Sequence, residues 1–105
     1  MNGLLGLKVT HSDSEAVLTV TGDINMTTSP RMRAALIEVA SGQPEELVVD
    51  LEGVTYIDSS GMATLVEALQ RARREGRRLV LRGLQESIRA VFRLARLDEV
   101  FTIVH

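Results

Sequence analysis

Apolar and polar residues alternate in two segments near the start of the chain, Leu7–Thr10 and Ala16–Thr21. The polar residues 11–15 lie between them, a pattern typical of two antiparallel strands joined by a turn. Gly22 follows the second segment, and we expect it to end that strand. The chain is therefore predicted to open with a β-hairpin.

Three later apolar runs have the length of strands rather than helices. Leu47–Leu51 is compact enough to predict a strand that is buried on both faces, broken at Gly53, after which Val54–Ile57 carries the chain on to Asp58. Leu79–Leu81 and Phe101–Val104 predict two more strands.

Apolar residues at helical spacing separate these strands and predict three helices. At the start of the first, a hydroxyl of Thr27–Ser29 is expected to accept a free backbone N–H, just before Pro30. On the second, Glu67, Arg71 and Glu75 are spaced four residues apart for ion pairs. The three apolar stripes are Met32, Ala35, Leu36 and Val39; Met62, Leu65, Val66 and Leu69; and Ile88, Val91, Phe92 and Ala95.

The resulting order of elements is ββαβαβαβ. Strands that alternate with helices indicate parallel pairing through right-handed crossovers. The sequence therefore predicts one α/β domain over residues 1–105, with a mixed sheet of about five strands and helices mainly on one face.

Composition excludes several classes of function. The 105 residues contain no Cys, only two His and three aromatic side chains, so disulfides, thiolate catalysis, Cys-ligated or His-rich metal sites and base-stacking surfaces are not expected. The net charge of −2 gives no overall attraction to nucleic acid. The chain has no apolar run of the ~20 residues that a membrane span requires. Residues 1–6 form a segment that is too short and uncharged for a signal peptide, so a cytoplasmic protein is predicted. No cofactor is expected.

Charge is unevenly distributed along the chain. Residues 67–96 hold nine Arg against three Glu, a net +6, whereas residues 1–66 carry −6. This pattern fits a solvated, salt-bridged helix face. It also fits an electrostatically steered protein interface that is acidic around Asp58. Binding of a membrane or nucleic acid by the arginine-rich stretch is a third interpretation.

The segment Ile57–Met62 is the main candidate for chemistry, since polar residues follow a buried strand and precede a helix. Capping of that helix by Asp58 or Ser59 requires only one such residue, and the segment offers three and a glycine. A serine hydrolase is disfavoured because the G-x-S-x-G pattern and a nearby base are missing. A phosphate-binding loop is absent as well. A metal site of Asp23, Asp50 and Asp58 is left open by the sequence.

Three stretches resemble the STAS domain family of bacterial anti-sigma factor antagonists. The string Val48–Gly61, ending in Asp-Ser-Ser-Gly, is similar to the family signature. Gly22-Asp23-Ile24-Asn25 resembles an upstream family element, with Asp23 where Glu is commoner and Asn25 where Asp is usual. Arg82–Leu97 resembles the last helix of the family. The resemblance runs from about residue 5 to the end of the chain.

The resemblance implies a small mixed sheet flanked by helices and a binding module rather than an enzyme. It implies that Ser59 is phosphorylated by an anti-sigma factor that is itself a serine kinase, and that a phosphatase removes the phosphate. Asp58, Ser60 and Gly61 would form the switch loop. Asp23, Asn25 and Met62 would contact the partner, with altered recognition because of Asn25. Direct nucleic-acid binding and membrane insertion are not expected, and the oligomeric state is left open. The alternative is a non-switching STAS subunit of an ABC-type lipid transport or signalling complex.

Overall fold

A computed structural model describes residues 5–105. Residues 1–4, part of the segment that is not expected to be a signal peptide, lie outside the described residues. The described elements follow the predicted order, with one short 3-10 helix added before the last strand. They are β1 (Leu5–His11), β2 (Glu15–Ile24), α1 (Ser29–Ser41), β3 (Glu46–Ile57), α2 (Ser59–Arg74), β4 (Arg78–Arg82), α3 (Glu86–Leu94), the 3-10 turn Leu97–Glu99, and β5 (Thr102–Val104).

The five strands form one mixed sheet in the order β1-β2-β3-β4-β5. β1 and β2 are antiparallel, and each later strand is parallel to its neighbour. All three helices contribute residues to one hydrophobic core cluster, as expected when successive right-handed crossovers in the same direction place them on one face of the sheet. The predicted α/β class, strand number and placement of the helices are confirmed.

Alternate residues of the central strands divide between the two faces of the sheet. Leu47 and Val49 of β3 belong to the hydrophobic core under the helices, to which α3 contributes the fully buried Phe92. The Phe92 ring packs edge-on against Phe101, with ring centroids 5.7 Å apart. The opposite face carries cross-strand ion pairs, including Arg82 with Asp50 at 3.0 Å.

Two predicted strand ends are wrong, because β2 and β3 continue past them with irregular pairing. β2 continues through Gly22, whose φ of 101° glycine adopts far more readily than other residues. β3 continues through Gly53. The register shifts twice, and each time β3 carries the extra residue. These bulges let Leu51, Val54 and Ile57 all face the core although they are three residues apart.

The ion pair that joins α1 to α2 was not expected from helical spacing. Glu67 accepts hydrogen bonds from Nε and Nη2 of Arg33, both at 2.8 Å. The predicted pairing of Glu67 with Arg71 is present but longer, at 3.8 Å. The predicted pairing of Arg71 with Glu75 is wrong, since Glu75 pairs instead with Arg77 at 3.3 Å.

The Arg33 hydrogen bond makes the contribution of Glu67 to stability dependent on pH. It lowers the pKa of the Glu67 carboxyl below its ordinary value. A group whose pKa is lower in the folded state stabilises the fold above its unfolded pKa, and this is lost as the pH falls through the folded pKa. We expect Glu67→Gln to be slightly less stable than the native chain at neutral pH, because the pair is exposed. Urea unfolding should show that the difference in free energy of unfolding between the two proteins vanishes on acidification. A difference that grows in acid would contradict the stabilising role of the Glu67 carboxylate.

Candidate functional site

The carboxyl ends of β2 and β3 meet at the point where α2 begins. Ile24 is paired with Ile57 as the last pair of the two strands. The backbone N–H of Asp58 then donates to the carbonyl of Ile24 at 3.1 Å. The segment from Asp58 to Gly61 therefore lies at this edge of the sheet, where ligand and partner sites of α/β proteins commonly lie.

Asp58 caps α2, which confirms the capping predicted for this position. Its backbone is extended, with φ −112° and ψ −172°, and its Oδ1 accepts from the backbone N–H of Gly61 at 3.1 Å. Ser59 and Ser60 are the first two residues of the helix. They lie at the N-terminus of this 16-residue helix, which is the positive end of its dipole.

The two serines of this segment differ in accessibility. Ser59 is exposed, whereas Ser60 is half-buried. The carbonyl of Ser60 accepts from Oγ1 of Thr64 at 3.0 Å, one turn along the helix. Spacing alone makes the two hydroxyls equivalent candidates for modification, and the structure provides a physical difference between them.

Gly61 lies where the first turn of α2 packs tightly on the ends of β2 and β3. It is buried, and a Cβ built on it would lie 2.5 Å from Cγ2 of Ile24 and 2.8 Å from Cγ1 of Ile57. Both distances are shorter than carbon atoms tolerate. The missing side chain thus sets how deeply the first turn of α2 sits on the ends of β2 and β3.

The three carboxylates considered for a metal site each have a separate partner. Asp23 accepts from Oγ1 of Thr55 at 3.0 Å, Asp50 pairs with Arg82, and Asp58 caps its helix. Within residues 5–105, no three potential ligands lie together in a way that could hold a metal ion. Asp23, which pairs with Tyr56 across the strands, lies at the same edge of the sheet as Asp58.

Asn25 organises the loop between β2 and α1. Its Oδ1 accepts from the backbone N–H groups of Thr27 and Thr28, at 2.9 and 3.0 Å. The buried Thr28 hydroxyl accepts from the N–H of Asn25 at 2.9 Å and donates to the carbonyl of Asp23 at 2.7 Å. The expected hydroxyl cap of α1 is therefore wrong. Thr28 has helical backbone angles, φ −97° and ψ −22°, rather than the extended ones of a capping residue, and its hydroxyl bonds backward to the loop instead.

Replacing Asn25 should separate its structural role from any role in recognition. Asn25→Ala removes the acceptor for two N–H groups, and we expect a loss of about 0.5–2 kcal/mol in the free energy of unfolding, as for a helix cap. Asn25→Asp keeps an acceptor oxygen at the same place and should remain close to the native value. Urea unfolding measures both variants, and equal losses in the two would show that Oδ1 is not what holds the loop.

Two exposed side chains at this edge were not found by sequence reasoning. Met26 is 76% exposed and Tyr56 is 51% exposed, whereas the predicted contact residue Met62 is half-buried against the core. Met26 follows Asn25 in the loop, where an apolar residue among polar neighbours is a weak signal. Tyr56 is exposed because of the second bulge of β3, which alternation of residue types does not reveal.

Comparisons with known proteins agree in family and in fold. The family model described as "Mlab, STAS domain" matches residues 7–105. An anti-sigma-B factor antagonist of Listeria monocytogenes is 27% identical, covering 94% of this chain and 88% of that protein. The anti-sigma-B factor antagonist of Bacillus subtilis is 24% identical, covering 94% and 90%.

A solved structure extends the similarity to three dimensions. The crystal structure of an anti-sigma factor antagonist from Mycobacterium paratuberculosis superposes with a TM-score of 0.87 at 26% identity, covering 96% of this chain and 86% of that one. The family model covers nearly the whole sequence, and the five-stranded sheet with its Asp58-capped helix matches the fold expected from the resemblance. This chain therefore belongs to the STAS domain family.

Proposed function

We propose that this protein is an anti-sigma factor antagonist whose binding to an anti-sigma serine kinase is switched off by phosphorylation of Ser59. The observation that carries the proposal is the placement of Ser59. It is exposed at the first position of α2, beside the capping Asp58 and at the edge of the sheet where β2 and β3 end. The antagonists to which the chain is similar support the same general role.

A phosphate on Ser59 is compatible with the fold. The first residues of a helix present free backbone N–H groups and a partial positive charge, both of which favour an anion. Phosphoserine adds about −1.5 to −2 charges and three acceptor oxygens. The switch therefore requires no refolding of the domain, because the added charge lies where the helix dipole stabilises it.

The same phosphate is unfavourable for a partner that fits the neutral hydroxyl. Asp23 and Asp58 lie at this edge and already contribute negative charge. A docked kinase would meet a bulky dianion in place of an alcohol, and one desolvated, unpaired charge readily costs several kcal/mol. The unphosphorylated antagonist thus holds the kinase and frees a sigma factor in the cytoplasm, and a phosphatase resets the cycle.

This role is that of a binding module rather than an enzyme. A cavity of about 600 Å³ lies on the other side of the molecule, against Val48, Val80 and Arg82, and Ser59 is not among its lining residues. Among residues 5–105, no helix combines the length and apolar character that a membrane span needs. A small hydrolase would instead turn over an activated ester, with activity lost in Ser59→Ala or Ser60→Ala; we expect no turnover.

Phosphosite mapping tests the proposal directly. The chain is incubated with the anti-sigma serine kinase of the same organism and ATP, and the modified residue is located by mass spectrometry. We expect one phosphate on the native chain and on Ser60→Ala, and none on Ser59→Ala. Modification of Ser60, or no modification by any such kinase, would count against the proposal.

The alternative predicted from sequence is a non-switching STAS subunit of an ABC-type lipid transport or signalling complex, and one observation favours its transport form. The matching family model carries the description "Mlab, STAS domain". Under this alternative, affinity capture with the native chain recovers an ABC-type ATPase rather than a kinase. Ser59→Ala would then keep full function in the cell. Under the switch proposal, Ser59→Ala cannot be phosphorylated and would hold the kinase permanently, so the same variant separates the two proposals.

A further inference from the structure

Met26 and Tyr56 are large, exposed side chains that contribute little to the core. They are 76% and 51% exposed, and both lie within two residues of the bond from Asp58 N–H to the Ile24 carbonyl. Met26 lies two residues after Ile24 on the β2 side, and Tyr56 lies two residues before Asp58 on the β3 side. Met26 in the loop after β2 and Tyr56 near the end of β3 therefore both lie at the end of the sheet where α2 begins.

The loop that carries Met26 is held in one conformation. The hydrogen bonds of Asn25 and Thr28 fix the backbone on both sides of it, and Thr28 is buried. Tyr56 is fixed in turn by strand pairing with Asp23. Side chains that are presented on a rigid backbone lose little further freedom on binding, which favours their use as anchors. Met and Tyr are also enriched in protein interfaces.

The charge around these two residues defines the partner. The side chains of Asp23 and Asp58 bond to Thr55 and to the backbone of Gly61, and in the described chain neither carboxylate forms an ion pair with an arginine or lysine. This end of the sheet therefore carries two exposed apolar side chains together with two carboxylates. A complementary surface has apolar pockets with a basic rim.

From these observations we infer that Met26 and Tyr56 are the two apolar anchors by which the unphosphorylated chain docks on a basic-rimmed face of its kinase. The inference rests on the proposed function and deepens it. The anchors provide affinity, and the hydroxyl of Ser59 at the same end of the sheet provides the point at which phosphate disrupts the contact. Truncation of a central aromatic or apolar anchor commonly weakens a protein interface by tenfold or more.

The inference is tested by measuring affinity for the anti-sigma serine kinase without ATP, so that no phosphate is transferred. We expect Met26→Ala and Tyr56→Ala each to weaken binding by about tenfold or more. Tyr56→Phe keeps the ring and should remain near the native affinity. Leu94→Ala is the matched control, because Leu94 is also a large apolar residue and is 86% exposed. It is the last residue of α3, which leads to the start of β5, and so lies at the opposite end of the strands from Ser59. Thermal unfolding confirms that every variant is folded.

Each outcome decides a different claim. If the native chain binds the kinase and either alanine variant binds within about twofold of it, the anchors are wrong and the proposed function stands. If Leu94→Ala weakens binding as much as the two anchor variants, the docking surface is not at this edge. If the native chain binds no anti-sigma kinase, the proposed function is overturned together with this inference.

Discussion

Ser59→Asp is expected to weaken binding to the anti-sigma kinase more than a hundredfold while leaving the fold intact. The substitution places a carboxylate where the kinase would meet a neutral hydroxyl, beside Asp58 and at the same end of the sheet as Asp23. A loss of about 3 kcal/mol corresponds to slightly more than a hundredfold in affinity, and an unpaired buried charge reaches that size. The same carboxylate lies at the N-terminus of α2, where it should stabilise the free protein by a few tenths to about 1 kcal/mol.

The control for this result is Ser60→Asp. Ser60 is the next residue of the same helix but is half-buried and faces less of the solvent. We expect a smaller loss of affinity for the kinase and a lower melting temperature, because a charge is introduced into partly buried surroundings. Calorimetric titration and thermal unfolding report the two quantities separately. Native-like affinity of Ser59→Asp would contradict the switch.

Gly61→Ala is expected to destabilise the domain and to displace the first turn of α2. The new methyl group would lie 2.5 Å from Cγ2 of Ile24, a fully buried β-branched residue that has no room to move. Overpacking of this kind costs about 1–3 kcal/mol. The gain in helix propensity from Gly to Ala is at most about 1 kcal/mol, so the clash dominates. Because Ser59 lies in the same turn, phosphorylation by the kinase should also become slower.

Gly42→Ala provides the matched control for the glycine substitution. Gly42 ends α1 with a φ of −76°, and a Cβ there would meet only the carbonyl oxygen of Val39, at an ordinary 3.4 Å. We expect unchanged or slightly raised stability, since alanine reduces the entropy of the unfolded chain. Urea unfolding compares the two variants. A Gly61→Ala protein as stable as Gly42→Ala would show that the close approach of α2 to the sheet is not required.

Local patterns were sufficient to predict the elements and the structure around the candidate site, a capped helix after a buried strand. The order of strands and helices, the parallel pairing around Leu47–Leu51 and the capping of α2 by Asp58 all depend on residues close together in sequence. Periodicity and capping are local properties, and they correctly place polar residues at the end of a buried strand. The identity of the candidate serine depended on the family resemblance.

Features that depend on contacts between distant segments could not be predicted in this way. The bulges of β3 arise from its pairing with β2, and they expose Tyr56 and extend the strand beyond Gly53. The partner of Glu67 is Arg33 on another helix rather than a residue one turn away. The Asn25 side chain takes the N–H groups of its own loop, and no spacing rule indicates that Thr28 then bonds backward to Asp23.

A rigid corner of the fold thus accounts for both states of the proposed switch. Asp58 fixes the first turn of α2 and Gly61 holds it against the sheet. In the proposed switch, the change on phosphorylation would be confined to charge and volume at the side chain of Ser59. Under this proposal, recognition would be controlled at the surface without any change in the stability of the core.

The affinity of one preparation for the anti-sigma kinase, before and after enzymatic phosphorylation, tests this account most directly. We predict tight binding of the unmodified chain and a loss of more than a hundredfold once Ser59 carries phosphate, with binding restored after phosphatase treatment. Equal affinity of the phosphorylated and unmodified chains would contradict the account.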